Sequence, residues 1–545
     1  MTGARMNAGS GRIRAYRDLH EHLSCLDEAG LLVRVTRPID KDSELHPLVR
    51  WQFRGGIPEA RRRAFLFENV VDAKGQQFDI PVVVGALAAN REIYRLGLGA
   101  DSLDDLPEFW DRALRRPVPP EVVDVAACHE VVVIGAELRE RRRGLDGLPV
   151  PISTPGWDNG PYLTTSHFIT RDPDDGVANM GNYRGQIKSP VRLGMNPSLQ
   201  LQPGIYAHWL KARERGEPLE CAVVVGAPPV VSFAAVQKMP PGSDELAVAG
   251  GLVGGPIGVV AAKTVDIMVP AEAEIVIEGL ISTELLEPEG PFGESHGHVN
   301  LQEFNAFMDV TAITRRRDAV LTSIISQVTP SESSLIKRVA YEPLFLRHLR
   351  DQLGIKGVKR VVLHEPLTNL RKVVVIQFER GVPEVEIWRG LYGAASLQRS
   401  SGKFVVAVDT DIDPDNADAL LWALAYRMQP ERDLQILRHR DPGHGPRGGA
   451  RETDASVLMN ATLEGIFPPI SLPKREFMER ARVIWEELGL PELNPEPPWF
   501  GYSLGDWSED FELAAQKAVA GEYFETGEKI AEMRRGDVEM NTEVR

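Results

Sequence analysis

The chain has 545 residues, 43% hydrophobic and 26% charged, and 62 basic against 78 acidic side chains leave a net charge of −16. At roughly 150 residues per domain the length predicts three or four domains, and the acidic balance argues against nucleic acid or an anionic membrane as main partner. No run approaches the ~20 apolar residues of a membrane span. The N-terminus lacks a secretory core, and Cys25, Cys128 and Cys221 are too few and too far apart for a disulfide framework, so a cytoplasmic address is expected.

In chain order, RDLHEHLSCLDEAG sets Leu19, Leu23 and Leu26 at helical spacing and stops at Gly30. LLVRV, AFLFENVV and IPVVVGAL read as strands, and a helix is expected around 103–116. From about residue 128 the pattern changes to short β-branched runs separated by Gly and Pro. These are EVVVIGAEL, CAVVVGAPP, GVVAAKTVDIMVP, AEIVIEGLI and FMDVTAITRRRDAVLTSIISQV. They predict a mostly antiparallel sheet or barrel. After about 330 the alternation returns: VKRVVLHE, KVVVIQFE and KFVVAVDTDI as strands, EVEIWRGLYGAASLQ and PDNADALLWALAYRM as helices. That is a βαβ layer with a parallel or mixed sheet. PELNPEPPWFGYS is a Pro-rich linker to the final helices.

Among the motifs, AGGLVGGPIG (249–258) contains no nucleotide fingerprint and reads as tight turns in a β domain. The stretch EPEGPFGESHGHVN (287–300) lies between two predicted strands and holds Glu289, Glu294, His296 and His298. Extended, the HGH triplet would put two imidazoles on one face, a way to begin a zinc site. The two glutamates are fixed by GPFG. One held by an arginine would stay ionised, while the other, less solvated, would rise in pKa and deliver a proton. An arginine is available in DDGVANMGNYRGQIK (174–188), where Asn179 and Arg184 are five apart around Gly181. In a regular strand they would face opposite ways; a bulge at Gly181 would turn both into one cavity. Asn is an oxygen ligand for a hard cation, and Arg is a fork for a carboxylate.

Together NMGNYR (179–184), PPGSDELAVAG (240–250), VPAEAEIVIEGLISTELLEPEGPFGESHGH (269–298) and GKFVVAVDTDIDP (402–414) resemble the UbiD family of reversible decarboxylases that use prenylated FMN. The segments keep the family's order and approximate spacing over most of the chain. The resemblance implies a multidomain α/β protein: an N-terminal α/β domain (1–125), a central split β-barrel that binds the flavin (126–330) and a C-terminal α/β domain (331–490). A linker and C-terminal helices (491–545) would serve homo-oligomerisation, as a dimer or hexamer. It also implies that Arg184, Glu289 and Glu294 are the catalytic set, Glu294 supplying the proton that replaces carbon dioxide. Arg184 and Glu289 would form an ion pair that orients the substrate carboxylate. Asn179, Tyr183, Arg184, Gln202, Glu245 and Lys403 match cofactor-binding positions. Of these, Asn179, Gln202 and Glu245 would ligate a divalent metal, typically manganese, with potassium nearby. Some members have a His where this chain has Gln202, and His208 is the alternative third ligand.

The expected activity is non-oxidative decarboxylation of an aromatic, heteroaromatic or α,β-unsaturated acid, an aryl-CoA thioester with a free carboxylate being among the candidates. A flavin prenyltransferase would supply the cofactor. Two other readings compete: a metal-dependent hydrolase centred on His296 and His298, and a non-catalytic flavin-binding protein.

Overall fold

The β-branched runs of the middle third pair into one nine-stranded antiparallel sheet. A computed structural model describes residues 5–6 and 13–533, except 198–202, 238–242, 365–370, 444–452, 466 and 494–504. Leu219–Val225, Ile275–Ile281 and Phe307–Arg315 form the middle of the sheet. Ile275–Ile281 is buried at every position but Leu280, as a strand covered on both faces must be. Arg192–Met195, Gly185–Ser189 and Tyr162–Leu163 continue the sheet one way, and His167–Arg171 and Ala178–Asn182 the other. Val131–Ile134 also pairs with Phe307–Arg315.

This order fixes the curvature. Ala178–Asn182 is one edge strand, and Gly185–Ser189 lies next to the opposite edge. Only Tyr183 and Arg184 join them, and three trans peptide steps reach no more than about 11 Å. The two flanks therefore curl toward each other, and the sheet is a half-barrel. Tyr183 and Arg184 bridge its open seam.

A two-stage ribbon rises from this sheet. Glu287–Glu289 pairs with Glu303–Asn305, and Phe292–Gly293 pairs with Val299–Asn300. Its tip is closed by the Glu294 amide donating to the His298 carbonyl at 2.9 Å.

Several expectations change. Gly258–Ala261 and Met268–Pro270 do not join the large sheet; they form a three-stranded sheet with Glu121–Val122. The β-branched stretch from Phe307 onward divides between two sheets. Its end, Leu321–Ser323, crosses to the N-terminal sheet beside Val82–Val84, Ala64–Phe67 and Leu32–Val35. The first half of AGGLVGGPIG is not a turn but the end of helix Glu245–Val253, which closes on Gly254 at φ 72°.

The C-terminal part is a mixed sheet in the order Val358–Leu363, Val373–Phe378, Phe404–Asp409, Asp454–Asn460, Leu434–Arg440. Helix Glu332–Arg347 lies between this sheet and the rest of the chain. Ser331 caps it, and the buried Glu332 carboxylate accepts the amides of Gly85, Leu87 and Ala88 at 3.0, 2.9 and 3.1 Å. The start of the helix is thereby tied to the N-terminal region. Helices Arg475–Glu487 and Glu509–Val519 bury no residue, and Ile484, Leu513 and Ile530 are more than half exposed. No described helix is long and apolar enough to cross a membrane.

Candidate active site

A cavity of about 800 Å³ opens between the seam of the half-barrel, the ribbon and helix Glu332–Arg347. Its volume falls in the range of a cofactor or substrate site.

Arg184 is the centre of one wall. Its Nε and Nη2 donate to the two oxygens of Glu289 at 2.8 and 2.6 Å, a bidentate pair, and Nη1 donates to Glu294 Oε1 at 2.5 Å. Burial works against the charge of Arg184. Hydrogen bonds with Glu289 and the charges of both glutamates outweigh it, so the guanidinium pKa lies above its ordinary value. The Phe292 ring centroid sits 4.9 Å from the guanidinium carbon.

The two glutamates divide differently from the expected pattern. Both touch Arg184, and the less solvated one is Glu289, which is fully buried and behind the wall. Glu294 keeps 14% side-chain exposure and lines the cavity, with its Oε2 accepting the Ser295 amide at 2.9 Å.

Arg184 reaches this place without a bulge at Gly181. Ala178–Asn182 pairs in unbroken register with His167–Arg171. The strand simply ends, and the crossing of the seam turns Arg184 inward. Gly181 has another role: a Cβ there would stand 2.5 Å from the Tyr183 hydroxyl, so its absence lets the phenol fold back over the strand.

Residues outside the motif hold the ribbon. Asp158 accepts the amides of Gly293 and Thr154 at 2.8 and 2.7 Å, and Asn159 Nδ2 donates to the Gly290 carbonyl at 2.6 Å. Burial pushes the Asp158 carboxyl up to about 6. Sequence reasoning missed both; the signal was the turn former GWDNG at 156–160.

Asn179 and Glu245 also line the cavity. Glu245 accepts the Met180 amide at 3.0 Å and pairs with no cation among the described residues. Burial pushes its carboxyl up to about 7. Asn179 Nδ2 is buried without a hydrogen-bond partner. Gly204 leaves room for that amide, since a Cβ there would lie 2.1 Å from Asn179 Oδ1. A buried carboxylate and a side-chain amide, each offering an oxygen, fit a hard divalent cation. Tyr183 lines the cavity as well, and burial raises its phenol pKa above the ordinary value.

Gln202 lies outside the described residues. His208 is on helix Gly204–Arg215 and lines the cavity, but its Nδ1 meets Thr170 Oγ1 at 2.9 Å and its Nε2 lies 3.8 Å from Asp172. Lys403 is not brought to the cavity. Its side chain is 45% exposed and its ammonium pairs with Asp454 at 2.9 Å.

The HGH reading finds no metal geometry. Among the described residues no three His, Cys, Asp or Glu side chains gather into a metal site. His296 engages both ring nitrogens locally, with Asn300 Oδ1 at 3.0 Å and the His298 amide at 3.2 Å.

Comparison with known proteins gives concordant results. The chain matches models of the 3-octaprenyl-4-hydroxybenzoate carboxy-lyase N-terminal domain over residues 23–113, its Rift-related domain over 122–328 and its C-terminal domain over 335–444. It is similar to the UbiD-class enzyme HmfF from Pelotomaculum thermopropionicum, solved in complex with FMN. The two are 31% identical, 88% of this chain and 98% of that one are covered, and the TM-score is 0.73. An evolved dimeric form of HmfF, in complex with prFMN, is 33% identical over 84% of this chain and 97% of that one, with a TM-score of 0.72. An uncharacterized protein of Aquifex aeolicus is 28% identical over 87% of this chain and 99% of its own.

Proposed function

Since the chain belongs to the UbiD family and is a UbiD-class carboxy-lyase, we propose that it reversibly decarboxylates an aromatic, heteroaromatic or α,β-unsaturated acid with prenylated FMN held in the cavity. The observation that carries this reading is the wall of the cavity: Arg184 locked by buried Glu289, with Glu294 beside it and facing inward.

When bound, prenylated FMN supplies the electron sink that no side chain offers. The rest is done by the chain. Glu289 keeps Arg184 charged and fixed, so the guanidinium hydrogens not bound to Glu289, on Nη1 and Nη2, are held in place for the incoming carboxylate. A substrate anion at Arg184 competes with Glu294 for the guanidinium. That competition raises the proton affinity of Glu294, which then holds an acidic proton next to the reacting carbon. Loss of carbon dioxide breaks the ring–carboxyl bond, and Glu294 places its proton on the vacated carbon. Solvent reprotonates Glu294 through the cavity.

Asn179 and Glu245 would hold the cofactor's phosphate through manganese, and Tyr183 would flank it. Asn179→Ala and Glu245→Ala should each lower manganese and flavin content together, on the order of tenfold or more. Lys403→Ala should leave both contents intact. Metal analysis and flavin absorbance on protein co-expressed with a flavin prenyltransferase decide this; full flavin content in Glu245→Ala would remove Glu245 from the cradle.

The apolar faces left open on the C-terminal helices fit a second copy of the chain. Leu513→Glu combined with Ile530→Glu should convert a dimer or larger assembly to monomer in sedimentation. A wild-type chain that sediments as a monomer would contradict this role.

A further inference from the structure

Glu289 and Glu294 belong to one arm of the ribbon, but different parts of the chain hold its two stages. The lower stage is pinned from the sheet. Lys188 Nζ donates to Glu287 and to the Pro288 carbonyl at 2.9 and 2.8 Å, and Arg192 Nη1 donates to Glu287 at 2.5 Å. The upper stage, which leads into Glu294, meets the turn at 154–159 instead.

That turn is closed on itself. The amides of Trp157 and Asp158 donate to the Thr154 carbonyl at 3.0 and 3.1 Å, and Asp158 Oδ2 accepts the Thr154 amide in return. Asp158 Oδ1 is thereby aimed at the ribbon, where it accepts the amide of Gly293, the residue before Glu294. The turn packs flush against Gly293, since a Cβ there would lie 2.1 Å from Thr154 Oγ1. Asn159 holds the other end of GPFG through the Gly290 carbonyl, and its Oδ1 accepts Gln186 Nε2 at 2.6 Å. Gln186 stands two residues beyond Arg184 and pairs with Tyr162 in the sheet. The turn therefore ties the upper ribbon to the strand that begins beside Arg184. Neither Asp158 nor Asn159 lines the cavity, so any effect on the reaction passes through the ribbon.

This tie matters once substrate is bound. A carboxylate at Arg184 competes with Glu294 for the guanidinium and weakens the bond that joins the acid to the opposite wall. The bonds from the Ser295 amide to Glu294 and from the Glu294 amide to the His298 carbonyl lie within the ribbon and move with it. Placement of the acid then rests on the upper ribbon, and a misplacement of about 1 Å costs on the order of a hundredfold in rate.

We propose that Asp158 and Asn159 are positioning residues for the decarboxylation: the turn at 154–159 clamps the ribbon at Gly293 and Gly290 and keeps Glu294 at the reacting carbon while Arg184 serves the substrate carboxylate. This inference rests on the decarboxylase reading above and adds the groups that aim its acid.

The test uses flavin-loaded protein with cinnamate, furan-2-carboxylate and pyrrole-2-carboxylate as probes. However the new side chain sits in Asp158→Asn, its NH₂ group faces one of the two amides that the carboxylate accepts, so one bond becomes a donor–donor clash. In that variant kcat should fall on the order of ten- to a hundredfold, while KM and flavin content stay near those of wild type. The solvent deuterium isotope effect on kcat should rise, because proton delivery becomes the slow step. Asn159→Ala releases Gly290 alone and should show the same pattern in smaller measure; it decides the matter if Asp158→Asn does not fold. A loss of flavin that matches the loss of rate, or a raised KM with kcat unchanged, would overturn the proposal. Amide hydrogen exchange gives a reading independent of turnover: residues 287–305 should exchange faster in either variant, and residues 185–195 should not. Wild-type turnover with kcat intact in both variants would overturn the positioning role and leave the decarboxylase reading standing. No turnover by flavin-loaded wild type, together with faster exchange of the ribbon in the variants, would remove the decarboxylase reading and keep the clamp.

Discussion

Glu294→Gln is expected to turn over about a hundredfold more slowly than wild type, or worse, while keeping its flavin and its fold. Glutamine preserves the shape of the side chain and one accepting oxygen, which can keep either the bond from Arg184 Nη1 or that from the Ser295 amide, which in Glu294 go to Oε1 and Oε2. What it lacks is a carboxylic proton. A positioned general acid contributes about 10²–10⁴-fold, and no second carboxyl group takes its place: Glu289 is bound on both oxygens to Arg184 and lies behind the cavity wall. The loss should appear in kcat, with little change in KM, and solvent deuterium exchange into the product C–H should fall in parallel. Near-wild-type turnover in this variant, together with a dead His296→Ala, would return the acid–base role to the HGH pair.

Arg184→Ala should abolish activity and also weaken the fold. The Glu289 carboxylate has no solvent exposure, and among the described residues Arg184 donates to both of its oxygens. Removing the guanidinium leaves a buried charge without compensation, which costs about 3–5 kcal/mol. The denaturation midpoint should therefore fall clearly. Arg184→Met combined with Glu289→Leu removes both charges and should recover much of that stability while remaining inactive. A double variant no more stable than Arg184→Ala would show that Glu289 is not held as the buried half of an ion pair.

How much of this was legible in the sequence differs from element to element. The β-branched runs, the returning βαβ layer and the motif-bearing turn follow from local periodicity and turn chemistry, which act over a few residues. The juxtaposition of Arg184 with Glu289 was reachable through the family resemblance, but its geometry was not. The expectation of a bulge at Gly181 follows from placing Asn179 and Arg184 on one strand. Instead the chain crosses between opposite flanks of a curled sheet at Tyr183, and strand order is set by pairings across more than a hundred residues. For the same reason Leu321–Ser323 could not be assigned to the N-terminal sheet from its own apolar pattern. Relative solvation is also a tertiary property. It left Glu289 buried and Glu294 facing the cavity, and it put Lys403 outside with Asp454.

The central claim is that this cavity exchanges a carboxyl group for a proton delivered by Glu294. It is tested most directly by incubating the protein, co-expressed with a flavin prenyltransferase, with a panel of aromatic and unsaturated acids in D₂O and analysing the products by mass spectrometry. The account predicts a product lighter by carbon dioxide that carries one solvent deuterium at the vacated carbon, formed by wild type and lost in Glu294→Gln. Product formation at the same rate by protein shown to contain no flavin, or with undiminished deuterium incorporation in Glu294→Gln, would contradict it.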